Sequence, residues 1–131
     1  MEGLALVTLA ELGDPRYVAL KTFRKTGVGV ATAVWMAADS GRLLVMTDGK
    51  SGKAKRIRNN PLVEVCASDM RGRPAGEWIP AQARIADSPE DVARAVRGLK
   101  KKYGFQFRLF SLTNRSSEGF GDTVIEIGPR E

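Results

Sequence analysis

A chain of 131 residues, 43% of them hydrophobic, fits one domain and can bury a core without metal or disulfide staples. It contains no histidine, which removes Ser-His-Asp and Cys-His nucleophiles and nearly all zinc enzymology, so reactive chemistry would arrive with a cofactor. The net charge of +6 suits an anionic partner: nucleic acid, a membrane surface or a phosphorylated small molecule.

The spaced apolar positions Leu4, Val7, Leu9 and Leu12 predict a short helix ended by Gly13-Asp14-Pro15. The start, Met1-Glu2-Gly3-Leu4, has no basic n-region of the kind a secretory leader carries. Tyr17 to Phe23 is rich in β-formers and predicts a first strand. Arg24-Lys25-Thr26-Gly27 then reads as a polar turn, Val28 to Ala37 as a second strand, Ala38-Asp39-Ser40-Gly41 as another turn, and Arg42 to Thr47 as a third strand. These connections are too short for crossovers, so the three strands form an antiparallel meander.

From Asp48 to Asn60 the chain is polar and basic, and Pro61 stops it. Ser51 is the N-cap expected for a helix from Gly52 to Asn59. Leu62 to Ser68 predicts a fourth strand, Asp69 to Gly76 a loop, and Glu77 to Ile85 a fifth strand, which Pro80 would confine to an edge or a bulge. Ser88-Pro89-Glu90-Asp91 is a helix start, and Val92, Ala95, Val96, Leu99 and Tyr103 form one apolar stripe before Gly104 as C-cap. Phe105, Phe107, Leu109, Phe110 and Leu112 make a second apolar cluster, and Thr123 to Ile127 a last strand. About six strands with one substantial helix predict a small closed barrel. Cys66, the single cysteine, lies in an apolar stretch and reads as a buried, inert thiol of a reduced cytoplasmic protein.

Chemistry concentrates between Met46 and Arg58. Five basic residues (Lys50, Lys53, Lys55, Arg56 and Arg58) fall between Lys50 and Arg58 without an acid. The stretch leaves a strand and enters a helix, where free backbone N–H groups and the helix dipole favour an anion. Gly49 and Gly52 allow close approach, and Thr47 and Ser51 add hydroxyls. Gly49-Lys50-Ser51 looks like the end of a Walker motif, but the upstream glycine spacing is absent, which rejects a P-loop. The bland alternative is a solvated basic helix. The arrangement of glycines, hydroxyls and cations at one strand-to-helix junction favours a phosphate cradle. Cations gathered in turns and helices, with no strand of stacking aromatics, argue against a nucleic-acid binder.

The order Tyr17 to Gly27, Ala33-Val34-Trp35, Leu44 to Asp48, Ser51 to Pro61 and Val63-Glu64-Val65 resembles the pyridoxamine 5′-phosphate oxidase-like split-barrel superfamily. Within it the chain is most similar to the actinobacterial branch that uses coenzyme F420, a deazaflavin. Arg71-Gly72-Arg73-Pro74, Ala83-Arg84-Ile85, Lys102-Tyr103-Gly104 and Val124 to Ile127 also fit that branch. The resemblance implies a six-stranded antiparallel split β-barrel over residues 1–131, acting as a homodimer with the coenzyme between subunits. It places Val34 and Trp35 beside the ring system, Thr47 near the ribityl phosphate, and Ser51, Gly52, Lys53, Lys55 and Arg56 on the phosphate, with Arg58 on a basic rim facing the acidic tail. It implies an F420H2-dependent reductase acting on an activated alkene, quinone-like or tetrapyrrole-type acceptor. The alternatives are an FMN-dependent oxidoreductase of the same fold and a non-catalytic coenzyme or tetrapyrrole carrier. On chemistry alone, Trp35 is as readily a core anchor, and Trp78 an interface residue. Lys100-Lys101-Lys102 reads as a solvated face, and Arg108 and Arg115 as residues able to reach an anionic ligand.

Overall fold

Alternation of apolar side chains fixes which face of each strand turns inward. The computed structural model describes Leu12 and residues 17–107 and 121–130. The expected helix before Leu12, its Gly13-Asp14-Pro15 stop, Leu109, Phe110, Leu112, Arg108 and Arg115 lie outside them.

The elements are β1 (Tyr17–Phe23), β2 (Gly29–Val34), β3 (Ala37–Asp39), β4 (Arg42–Thr47), α1 (Gly52–Asn59), β5 (Leu62–Ser68), β6 (Ile79–Ala86), α2 (Pro89–Tyr103) and β7 (Thr123–Gly128). All pairings are antiparallel, in the order β2-β1-β5-β6-β7-β4-β3. A flat sheet of this size would hold its edge strands about 29 Å apart at about 4.8 Å per strand. Yet β2 and β3 are separated in sequence only by Trp35 and Met36, a connection that spans at most about 11 Å. The sheet therefore curls until its edges approach each other, giving a half-barrel.

Seven strands form where six were expected, because the second predicted strand breaks at Trp35-Met36. Met36 gives its backbone to α2 rather than to a neighbouring strand. Its N–H donates to Tyr103 Oη at 3.1 Å, and its carbonyl accepts from Lys102 Nζ. Lys102 is thus a seam residue and not simply part of a solvated face. β3 and β4 then join through Ser40-Gly41, both at positive φ (52° and 79°), as a tight two-residue hairpin requires.

The inward residues Val18 and Leu20 of β1, Leu43 and Val45 of β4, Val63 and Val65 of β5, and Ile125 and Ile127 of β7 share one buried cluster with Ile57 of α1. Burial of each such side chain stabilises the fold by about 1.5–3 kcal/mol. The outer face of β4, β6 and β7 is covered by α2 through Leu44, Ala86, Ala95 and Val124. Ser88 caps α2 through its hydroxyl, which accepts from Asp91 N at 3.1 Å, and Gly104 ends the helix at φ 53°. Pro80 faces Glu64 of β5, and β7 pairs with β6 only from Gln82 onward. The imino nitrogen therefore stands where β6 has one neighbour, which is how proline is tolerated there. No described helix is long and apolar enough to cross a membrane.

Candidate phosphate site at the mouth of the barrel

Helix α1 follows β4 after a four-residue turn and lies across one end of the curled sheet, with Ala54 and Ile57 buried beneath it. Its amphipathic pattern places those two inward and leaves its cations around the rim. Thr47 ends β4 on the inner face, and its hydroxyl lies 3.0 Å from that of Ser51. Ser51 is the N-cap: its Oγ accepts from Ala54 N at 3.2 Å. The N–H groups of Gly52 and Lys53 donate to no described residue, so the helix start presents two free backbone donors.

Arg56 folds back over this helix start. A Cβ on Gly52 would come within 2.7 Å of its Nη1, so the bare glycine lets the guanidinium lie beside those amides without shifting. Arg56 Nε donates to Thr22 Oγ1 at 2.6 Å, which ties the helix to β1 and leaves the outer edge of the fork for a ligand. Lys53 is half-buried, and burial first, then the neighbouring Arg56 cation, pushes its ammonium pKa down from the usual lysine value. Two cations this close favour an anion between them.

The turn before the helix is held by residues the sequence pattern did not single out. Gly49 N donates to Asp122 Oδ1 at 3.0 Å, and Thr123 Oγ1 donates to the same oxygen at 3.0 Å. These contacts hold the Asp122 carboxyl below the usual range, the Gly49 N–H contributing most. Gly121, at φ 83°, brings this segment against β4 so closely that a Cβ would lie 2.0 Å from the carbonyl carbon of Thr47. Arg58 Nη1 donates to Gly49 O at 2.6 Å, so Arg58, which is exposed, also clasps the turn. Thr22 and Asp122 are far from the motif in sequence, and only the fold brings them to it.

Of the residues expected to bind coenzyme, Thr47, Ser51, Gly52, Lys53 and Arg56 therefore converge. Lys55 is on the same helix but exposed. Val34 and Trp35 lie elsewhere. Val34 is buried in the core cluster and pairs with Val18, four residues and about 13 Å along β1 from Thr22. Trp35 is half-buried, with its ring stacked on Tyr103 at 4.4 Å between centroids and 9° between planes. Tyr103 is itself buried, and its hydroxyl accepts from Met36 N. Trp78 is half-buried under the ammonium of Lys21, 4.0 Å from its ring centroid. The described residues hold no group of three or more side chains able to ligate a metal.

Two free amides, two hydroxyls, a half-buried lysine and a folded-back arginine fit a phosphate ester.

Comparison with known proteins bears on the fold and the family. The pyridoxamine 5′-phosphate oxidase family profile matches residues 7–131. No curated protein sequence matches the chain. Among solved structures, the conserved hypothetical protein Rv2991 from Mycobacterium tuberculosis superposes with a TM-score of 0.68 at 21% identity, over 95% of this chain and 80% of that one. A protein described as an F420 reductase gives 0.62 at 22% identity, over 95% and 92%. HutZ, the heme storage protein from Vibrio cholerae, gives 0.65 at 11% identity, over 90% and 84%. At these identities the structural matches establish the shared fold.

Proposed function

The chain belongs to the pyridoxamine 5′-phosphate oxidase family, and from that premise we propose that it is a coenzyme F420-binding oxidoreductase. In this reading it acts as an F420H2-dependent reductase and passes hydride to an electron-poor small molecule. The observation that carries it is the convergence of Gly52 N–H, Lys53 N–H, Ser51, Lys53 and Arg56 at one mouth of the barrel. Resemblance to solved F420-dependent reductases supports the choice of coenzyme.

Reduced deazaflavin, when bound, supplies the hydride. The protein's part is to hold the coenzyme. Ser51, the free amides and the Arg56 fork grip its phosphate, and Lys53 adds charge that burial has made costly to leave unpaired. Thr22 and Asp122 act behind them by fixing Arg56 and the turn. No histidine is needed, because the hydride step requires orientation and exclusion of water rather than a general base. In this proposal the homodimer that the family resemblance implies supplies the second wall of the coenzyme groove, and the protein works in the cytoplasm.

The test is a fluorescence titration of the purified protein with F420 and with FMN. Saturable quenching or polarisation of the deazaflavin, with no FMN response, is the expected outcome. A yellow protein that binds only FMN would replace the coenzyme, and binding of neither would overturn the reading. The fold match to a heme storage protein favours one second reading, a non-catalytic tetrapyrrole carrier. It predicts a Soret shift on heme addition and no turnover with F420H2.

A further inference from the structure

The outer face of the sheet carries a second polar cleft, away from the α1 cradle. It is lined by Arg42, Gln82, Ala83, Arg84, Glu126 and Gly128, with Pro129 at its rim, and encloses about 160 Å³. That is below the roughly 300–1,000 Å³ of a site for a drug-sized ligand, so it fits a small ion. Register explains its composition. Gln82 pairs with Gly128, and Arg84 with Glu126, which sets these side chains side by side on neighbouring strands.

Gly128 shapes the cleft. A Cβ there would lie 1.6 Å from Arg42 Nη1, so the absence of a side chain is what lets the guanidinium of Arg42 lie across β7. Arg84 Nε donates to Glu126 Oε1 at 2.9 Å, while its side chain stays 63% exposed. Glu126 is buried and also accepts from Arg94 Nη1 at 3.5 Å, so its oxygens are already committed. Arg42 forms no ion pair with any described residue. The lining therefore holds two guanidinium groups against one carboxylate, and one positive charge is left over.

We propose that this cleft is an anion site that takes a small carboxylate between the guanidinium groups of Arg42 and Arg84. A planar carboxylate matches the forked donors of arginine. The site stands apart from the α1 cradle and does not depend on which coenzyme binds there.

The test is an amide NMR titration of the full chain with succinate, at constant ionic strength and against sodium chloride as control. Saturating shifts are expected at the amides of Arg42, Arg84 and Gly128. Arg42→Gln weakens the succinate affinity at least fivefold while leaving the rest of the amide spectrum in place. Linear shifts without saturation, shifts equal to those with chloride, or an affinity unchanged in Arg42→Gln would each overturn the proposal. Succinate shifts confined to residues 49–56 would overturn it too, because they would assign the anion to the α1 cradle.

Discussion

Replacing Tyr103 by phenylalanine tests whether α2 closes the seam of the barrel. Tyr103 is 6% exposed and Met36 0%. The Met36 N–H donates to Tyr103 Oη at 3.1 Å at the point where the chain leaves β2 for β3. Phenylalanine keeps the ring, its stack on Trp35 and its contacts with Leu99 and Ala37. The change therefore removes a hydroxyl and leaves a fully buried N–H without its acceptor, which costs about 1–3 kcal/mol. Lys102 still donates to Met36 O, so the seam loosens without opening. With a urea m-value of about 1–3 kcal/mol/M for a small protein, a loss near 2 kcal/mol lowers the midpoint by about 1 M. Equilibrium urea unfolding followed by circular dichroism reads this directly, and native-state hydrogen exchange at Met36 should accelerate in parallel. A Tyr103→Phe variant as stable as the parent, with an unchanged slope and a still-protected Met36 amide, would refute the idea that this hydroxyl pins the two sheet edges together.

Other expectations concern the cradle and the packing around it. Lys55→Ala combined with Arg56→Ala should weaken coenzyme affinity tenfold or more, about 1.4 kcal/mol, in the fluorescence titration, with the fold retained in circular dichroism. Gly121→Ala should cost about 3 kcal/mol or more in urea unfolding, because it adds left-handed strain to a collision with the Thr47 backbone. Asp122 has a depressed carboxyl pKa, so the stability it lends the Gly49 turn is fully present above the unfolded value near ~3.9 and is lost as pH falls through the folded value. Amide exchange at Gly49 should accelerate across that acidic window in the parent protein and be pH-independent in Asp122→Asn beyond the intrinsic rate. Cys66 is fully buried, and its Sγ donates to Gly76 O at 3.2 Å, so a thiol reagent should modify it only after denaturant unfolds the chain.

The local elements were legible in the sequence wherever short-range rules suffice. Arg42–Thr47, Gly52–Asn59 and Leu62–Ser68 form as patterning predicts, and Ser51, Ser88 and Gly104 cap their helices. Caps, turns and alternation depend on neighbours within a few residues, and that information is written along the chain. The strand broken at Trp35-Met36 was not legible, because its cause is Tyr103 and Lys102, more than sixty positions away. The contact by which Arg58 holds Gly49 O was not legible either, because nothing in the local pattern announces it.

The charged turn and its glycines belong to the sequence alone. The tertiary structure decided which cations face the helix start and which are spent elsewhere. Thr22 turns Arg56 toward the free amides, Asp122 sets the turn, and Gly128 opens the second cleft on the outer face. A side chain's charge is fixed by its identity. Its direction is fixed by partners that only folding brings within hydrogen-bond reach, and binding depends on both.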